Sequence, residues 1–218
     1  EYIRDINNVG INTATVYACF TVRNYSIMIQ EYISGETIQS ILESNKVNIE
    51  NKLKTFYKFL LLYSQSKSND NLCLDWNMKN FIFNGNAIYY VDFVPCLYKD
   101  KIAKSTAANL QQYRESYLDD YIRAAGILGY AIMPFIKAYS KNSVIEIYNR
   151  IKYLFKLTTN IYFDDLNFDE NHVYLYKLQK IDEYLNSDMS YDDLITLLNE
   201  YSMENVAKRV RKSDKHEN

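Results

Sequence analysis

Apolar and polar positions divide the chain into an extended first part and a periodic, helical remainder. The opening stretch EYIRDI reads as the middle of a helix. Residues 15–22 (TVYACFTV) and 25–32 (YSIMIQEY) are rich in β-branched and aromatic side chains. Arg23-Asn24 lies between them, which predicts an antiparallel strand pair joined by a tight turn. Ser34-Gly35 breaks the chain, and residues 36–44 read as a short helix. Ile49, Leu53, Phe56, Leu60 and Tyr63 recur at steps of four and three, which lays them along one stripe of an α-helix. Polar residues 64–71 end it.

Two short apolar runs follow, Phe81-Ile82-Phe83 and residues 87–93, on either side of Asn84-Gly85-Asn86. Asn-Gly between apolar runs predicts a β-hairpin whose two central residues both take positive φ. Everything after Pro95 reads as helix: 103–139, broken near Gly126, Gly129 and Pro134, then 142–157, 171–187 and 190–211. Ser190, with Asp193 three residues on and an apolar run behind it, marks a helix start of the capping-box kind. The fold class is therefore α+β, dominated by helix, with no internal repeat and no Pro- or Gly-rich linker.

Composition narrows the function classes. Hydrophobic residues make up 48% of the 218, enough for a buried core. A formal net charge of −2 supplies no whole-chain attraction to nucleic acid or acidic lipid. Cys19, Cys73 and Cys96 are odd in number and not paired as C-x-x-C, which argues against a disulfide framework or zinc site and for a reducing cytoplasm. No apolar run approaches the ~20 residues needed to span a bilayer. The basic stretch from Lys208 onward reads as a solvated helix end and tail, with a site for an anionic partner as the alternative.

The chemistry concentrates in Cys73-Leu74-Asp75-Trp76-Asn77-Met78-Lys79-Asn80, the hairpin after it, and Tyr90-Val91-Asp92-Phe93. An Asp is followed five residues later by an Asn, and the hairpin's second strand runs into a second Asp. This pattern resembles the catalytic loop and metal motif of the protein-kinase-like superfamily, in particular its aminoglycoside and choline kinase branch. Met28-Ile29-Gln30-Glu31-Tyr32-Ile33-Ser34-Gly35 resembles the same family's hinge. The resemblance implies a kinase-like fold: residues 1–33 as an N-lobe remnant with hinge strands, 34–211 as a helical C-lobe with a catalytic hairpin at 72–93, and 212–218 as a flexible tail.

It also implies roles. Asp75 would accept the proton of an attacking hydroxyl, while Asn80 and Asp92 would hold magnesium on the phosphates of ATP. The backbone at Glu31, Tyr32 and Ile33 would bind adenine. Glu1 would be the helix-borne partner of a phosphate-anchoring lysine, whose strand is expected before residue 1. Asp119 and Asp120 are candidates for a cationic substrate, with a solvated helix face as the alternative. Trp76 is a candidate for stacking on a ligand, with core packing as the alternative. Cys73 stands where the family has His, and Val94 where protein kinases have Gly. The implied activity is ATP- and Mg-dependent phosphotransfer to the hydroxyl of a small molecule. A kinase-like docking module without turnover, which would engage a protein partner, is the competing expectation. Asp164-Asp165 and Asp169-Glu170 lack the spacing of an EF-hand and read as loop, and His172 reads as structural or solvated.

Overall fold

The computed structural model describes residues 1–23, 25–92, 98–104, 114–163 and 172–200. The acidic stretch 164–170, the basic tail, Phe93, Val94 and Pro95 lie outside them. The fold is α+β, and the chain divides into two compact units, Glu1–Lys104 and Ser105–Asn218. The strands expected as hinge and the hairpin at 72–93 both belong to the first unit.

The first unit opens with helix α1 (Tyr2–Asn8), which buries Tyr2 and Ile6. Strand β1 (Asn12–Thr13) follows, then β2 (Val16–Val22) and β3 (Tyr25–Gln30), paired antiparallel as their composition predicts. Arg23 takes φ +54 in the turn between them. Residues 36–44 depart from the expected single helix. Glu36–Thr37 forms a strand, β4, and only Ile38–Glu43 is helical (α2), with the Thr37 side chain accepting from the Ser40 N–H as its cap. Pairing of Glu36 with Phe83 and Thr37 with Ile82 outweighs the local helical pattern.

Helix α3 (Ile49–Ser66) is capped by the Asn48 side chain and buries Leu53, Phe56, Phe59, Leu60 and Tyr63. Strands β5 (Phe81–Phe83) and β6 (Ile88–Tyr90) form the expected hairpin. The turn differs in detail. Among its residues only Gly85 has positive φ, +96, and Asn84 N–H donates to the Ala87 carbonyl at 3.2 Å. The turn thus centres on Gly85-Asn86, with Gly at the first central position as a type II′ turn wants. The Asn84 side chain accepts from the Asn86 and Ala87 N–H groups, a role it could not combine with sitting at the turn's centre. The hairpin lies inside a four-stranded sheet of order β1-β6-β5-β4, with β1 parallel to β6. Helix α4 (Lys99–Lys104) closes the unit.

The second unit contains α5 (Arg114–Leu118), α6 (Asp120–Ala138), α7 (Lys141–Thr159), α8 (Val173–Asn186) and α9 (Tyr191–Glu200). The break expected near Gly126, Gly129 and Pro134 is absent: α6 runs through all three. Burial of Ala131, Ile132, Phe135 and Ile136 around the proline outweighs the one hydrogen bond it removes. Gly126 has a packing reason, since a Cβ there would lie 3.2 Å from the Tyr174 ring of α8. Ser190 and Asp193 cap α9 reciprocally, the Asp193 N–H reaching Ser190 Oγ at 3.1 Å and the Ser190 N–H reaching Asp193 Oδ2 at 3.4 Å. No helix among the described residues is long and apolar enough to cross a membrane.

Candidate functional site

The Asp75 loop rests on an aromatic base. Trp76 stacks on Phe81 with centroids 4.9 Å apart and planes 13° apart, and meets Tyr63 and Phe59 of α3 edge-on at 5.0 and 5.5 Å. Its side chain is buried, so the ligand-stacking role considered for Trp76 does not hold. A large apolar ring beside three other aromatics gains more from the core than from water. The same burial pins the backbone one residue after Asp75.

Local hydrogen bonds then set the loop's path. Asp75 Oδ1 accepts from the Asn77 N–H, and Asn77 Oδ1 from the Lys79 N–H. These side-chain turns lead into one turn of 3-10 helix, Met78–Asn80. Asn80 Nδ2 reaches back to the Asp75 carbonyl at 3.5 Å. The five-residue spacing therefore places Asn80 beside Asp75. The hairpin returns the chain to the same place, where the Val91 N–H donates to the Asn80 carbonyl at 3.0 Å. Asp92 follows directly, and the Gln30 amide at the end of β3 donates to the Val91 carbonyl at 3.1 Å.

Electrostatics records the same convergence. Burial pushes the Asp75 carboxyl above the ordinary carboxylate range. The Asn77 N–H opposes that shift, the negative charge of Asp92 adds to it, and the Asn80 side chain opposes it. Asp75, Asn80 and Asp92 thus form one cluster. Asp92 carries a carboxylate, and Asn80, its Nδ2 turned to the Asp75 carbonyl, keeps Oδ1 as an acceptor; both are oxygen donors of the type a hard cation takes. Among the described residues no group of three or more His, Cys, Asp or Glu could hold a metal.

Two tyrosines escaped the sequence reading. Tyr2 of α1 donates its hydroxyl to the Cys73 carbonyl at 2.6 Å, in the interior. Tyr90 of β6, 1% exposed, accepts the Asp75 N–H at 3.3 Å. Burial, with the nearby Tyr2, Asp75 and Asp92 also contributing, holds the Tyr90 hydroxyl well above the ordinary tyrosine range. Strand alternation turns one of Tyr89 and Tyr90 inward, but no sequence pattern says that an inward hydroxyl meets a loop fifteen residues away. Tyr2 is fixed in turn by the edge-on ring of Tyr98, whose hydroxyl donates to Asp5.

The other expected site residues fall as follows. Glu31 N–H is spent on the Thr15 carbonyl at 2.7 Å, and the Glu31 carboxylate accepts from the Thr15 N–H and hydroxyl, which hold it below the ordinary range. Tyr32 is 87% exposed, and Ile33 is buried. Gly35 is required where it stands, because a Cβ would lie 2.4 Å from the Phe83 carbonyl oxygen. The hinge-like segment is thereby locked to the hairpin. Glu1 is exposed and caps α1 with its backbone carbonyl, which accepts from Asp5. Asp119 and Asp120 lie in the second unit and have local work: Asp119 accepts from the Tyr121 and Ile122 N–H groups as the α6 cap, and Asp120 pairs with Arg123 at 3.2 Å. Comparison with protein-family models, with curated proteins and with solved structures yields no match for this chain.

Proposed function

We propose that the Glu1–Lys104 unit carries the acid, base and metal half of an ATP- and Mg-dependent phosphotransferase acting on a hydroxyl of a small molecule, in a kinase-like, cytoplasmic protein. The observation that carries this reading is the convergence of Asp75, Asn80 and Asp92, three groups distant in sequence, on one half-buried spot. In this reading Asp75 accepts the proton as the substrate oxygen bonds to the terminal phosphorus of ATP and the bond to the leaving ADP oxygen breaks. Its raised pKa suits it to hold that proton. Asn80 and Asp92 would hold magnesium, which when bound would offset the charge of the phosphates. The Gln30 amide, next to the hinge-like segment, donates to the Val91 carbonyl beside Asp92, which supports a nucleotide reaching from the Tyr32–Ile33 backbone toward the metal ligands.

The test is ATP consumption with magnesium by the wild-type chain in its full natural length and by Asp75→Asn. Turnover that falls by about a thousandfold in the variant supports the reading; equal rates would sink it.

One observation favours the second reading, a docking module without turnover. By register, Phe20 faces Ile27 and Ala18 faces Ile29 on one side of the β2–β3 pair, and Phe20, Val22, Ile27 and Ile29 are all exposed. Such an apolar face suits a protein contact. Calorimetry with Mg-ATP separates the two, because a docking module of this kind shows no magnesium-dependent nucleotide binding.

A further inference from the structure

The second unit holds a cavity of about 190 Å³ walled by α6, α8 and α9. Met133, Ile181, Ile195 and Leu198 make it predominantly apolar. Among the described residues one cation lines it. Lys177 of α8 is half-buried, with its ammonium 5.9 Å from the centroid of the Tyr130 ring, and it pairs with no carboxylate among the described residues. Burial holds this amine below the ordinary lysine range. A charge withdrawn from water without an anion beside it gains strongly from one that arrives.

The α6 wall contains Gly129, whose place in a helix interior carries a propensity cost. Packing does not demand it: among the described residues a Cβ there would meet nothing nearer than Ile181 Cδ1 at 4.0 Å. Gly126, one turn earlier, differs, because Tyr174 fills the space beside it. The room next to Gly129 is thus left to the cavity. An apolar cavity of roughly 150 Å³ accepts a benzene ring, so this one has space for a single ring or a short hydrocarbon tail.

We propose that this cavity binds a small organic monoanion, a carboxylate on one ring or a short tail, with the apolar part against α6 and α9 and the carboxylate at the Lys177 ammonium. The site stands independently of the Asp75 cluster. Benzoate and benzyl alcohol, near-equal in size and different in charge, test it by calorimetry on the full chain. Benzoate binds with a dissociation constant of about 1 mM or tighter, and benzyl alcohol about tenfold more weakly. Lys177→Met keeps the apolar stem and removes the charge; benzoate then weakens about tenfold while benzyl alcohol is unchanged. Gly129→Leu fills the cavity with a good helix former and abolishes both. The proposal is overturned by equal affinity for the two probes, by benzoate binding that survives both substitutions, or by no saturation at about 20 mM benzoate.

Discussion

Two antiparallel hairpins in the first unit look alike in sequence and differ in what surrounds them. The β2–β3 and β5–β6 pairs are both built from aromatic and β-branched residues and both turn through a positive φ. The second is flanked by β1 and β4 and backed by the α3 aromatics, so Phe81 and Tyr90 are buried. The first forms a two-stranded sheet of its own, with Phe20, Val22, Ile27 and Ile29 exposed. Local signal makes a hairpin; only a third layer makes it rigid. The candidate catalytic residues lie together at the open end of the braced hairpin, where its two strands bring Asn80 and Asp92 beside the Asp75 loop.

The largest expected contrast is in core truncation. Phe81→Ala removes a ring packed against Phe59, Trp76 and Tyr90 and costs about 3–5 kcal/mol. Phe20→Ala, 44% exposed, costs under about 1 kcal/mol. Urea unfolding of the two variants checks the difference, and equal costs would mean that the first hairpin is as well supported as the second. Next comes Gly35→Ala. Its Cβ would overlap the Phe83 carbonyl, which forces β4 away from the hairpin at a cost of about 2 kcal/mol. Loss of ATP consumption beyond the loss of fold would tie the hinge-like segment to the site.

Asp75→Asn separates function from stability. The folded pKa of Asp75 lies above its unfolded value, so the neutral carboxyl is the form the fold favours. Its contribution is fully present below the unfolded pKa and is lost as pH rises through the folded one. The variant does not suffer that loss. At neutral pH it should therefore be more stable than the wild type by about 1 kcal/mol, with the gap closing on acidification, while turnover disappears. Thermal melts across pH measure the gap. The smallest effect concerns the turns: Arg23 carries a positive φ that Gly85 carries without strain, so Arg23→Gly should gain about 0.5 kcal/mol and Gly85→Ala lose about 1 kcal/mol.

Much of this was legible in residue order. The α3 stripe, the hairpin at 81–90 and the Ser190 cap follow from spacing alone, because each is decided within one or two turns of chain. Misread segments share one cause. Residues 36–37 became strand through an edge far away in sequence, and α6 passed through Pro134 because its neighbours are buried on other helices. Trp76 illustrates the same limit, since whether a ring meets a ligand or a core depends on what folds over it.

Residue order alone sets the groups: an Asp and an Asn five residues apart, a hairpin, and a second Asp at its end. Their spacing carries the Asx turns that bend the loop, and those bonds need only adjacent residues. Tertiary structure alone decided that Tyr2 and Tyr90 hold the loop at Cys73 and Asp75, that Asp92 lies close enough to raise the Asp75 pKa, and that Lys177 lines an apolar cavity. The physical reason is range. Hydrogen bonds and periodicity within a segment are set by its own residues, whereas burial and the approach of like charges depend on segments that sequence leaves far apart.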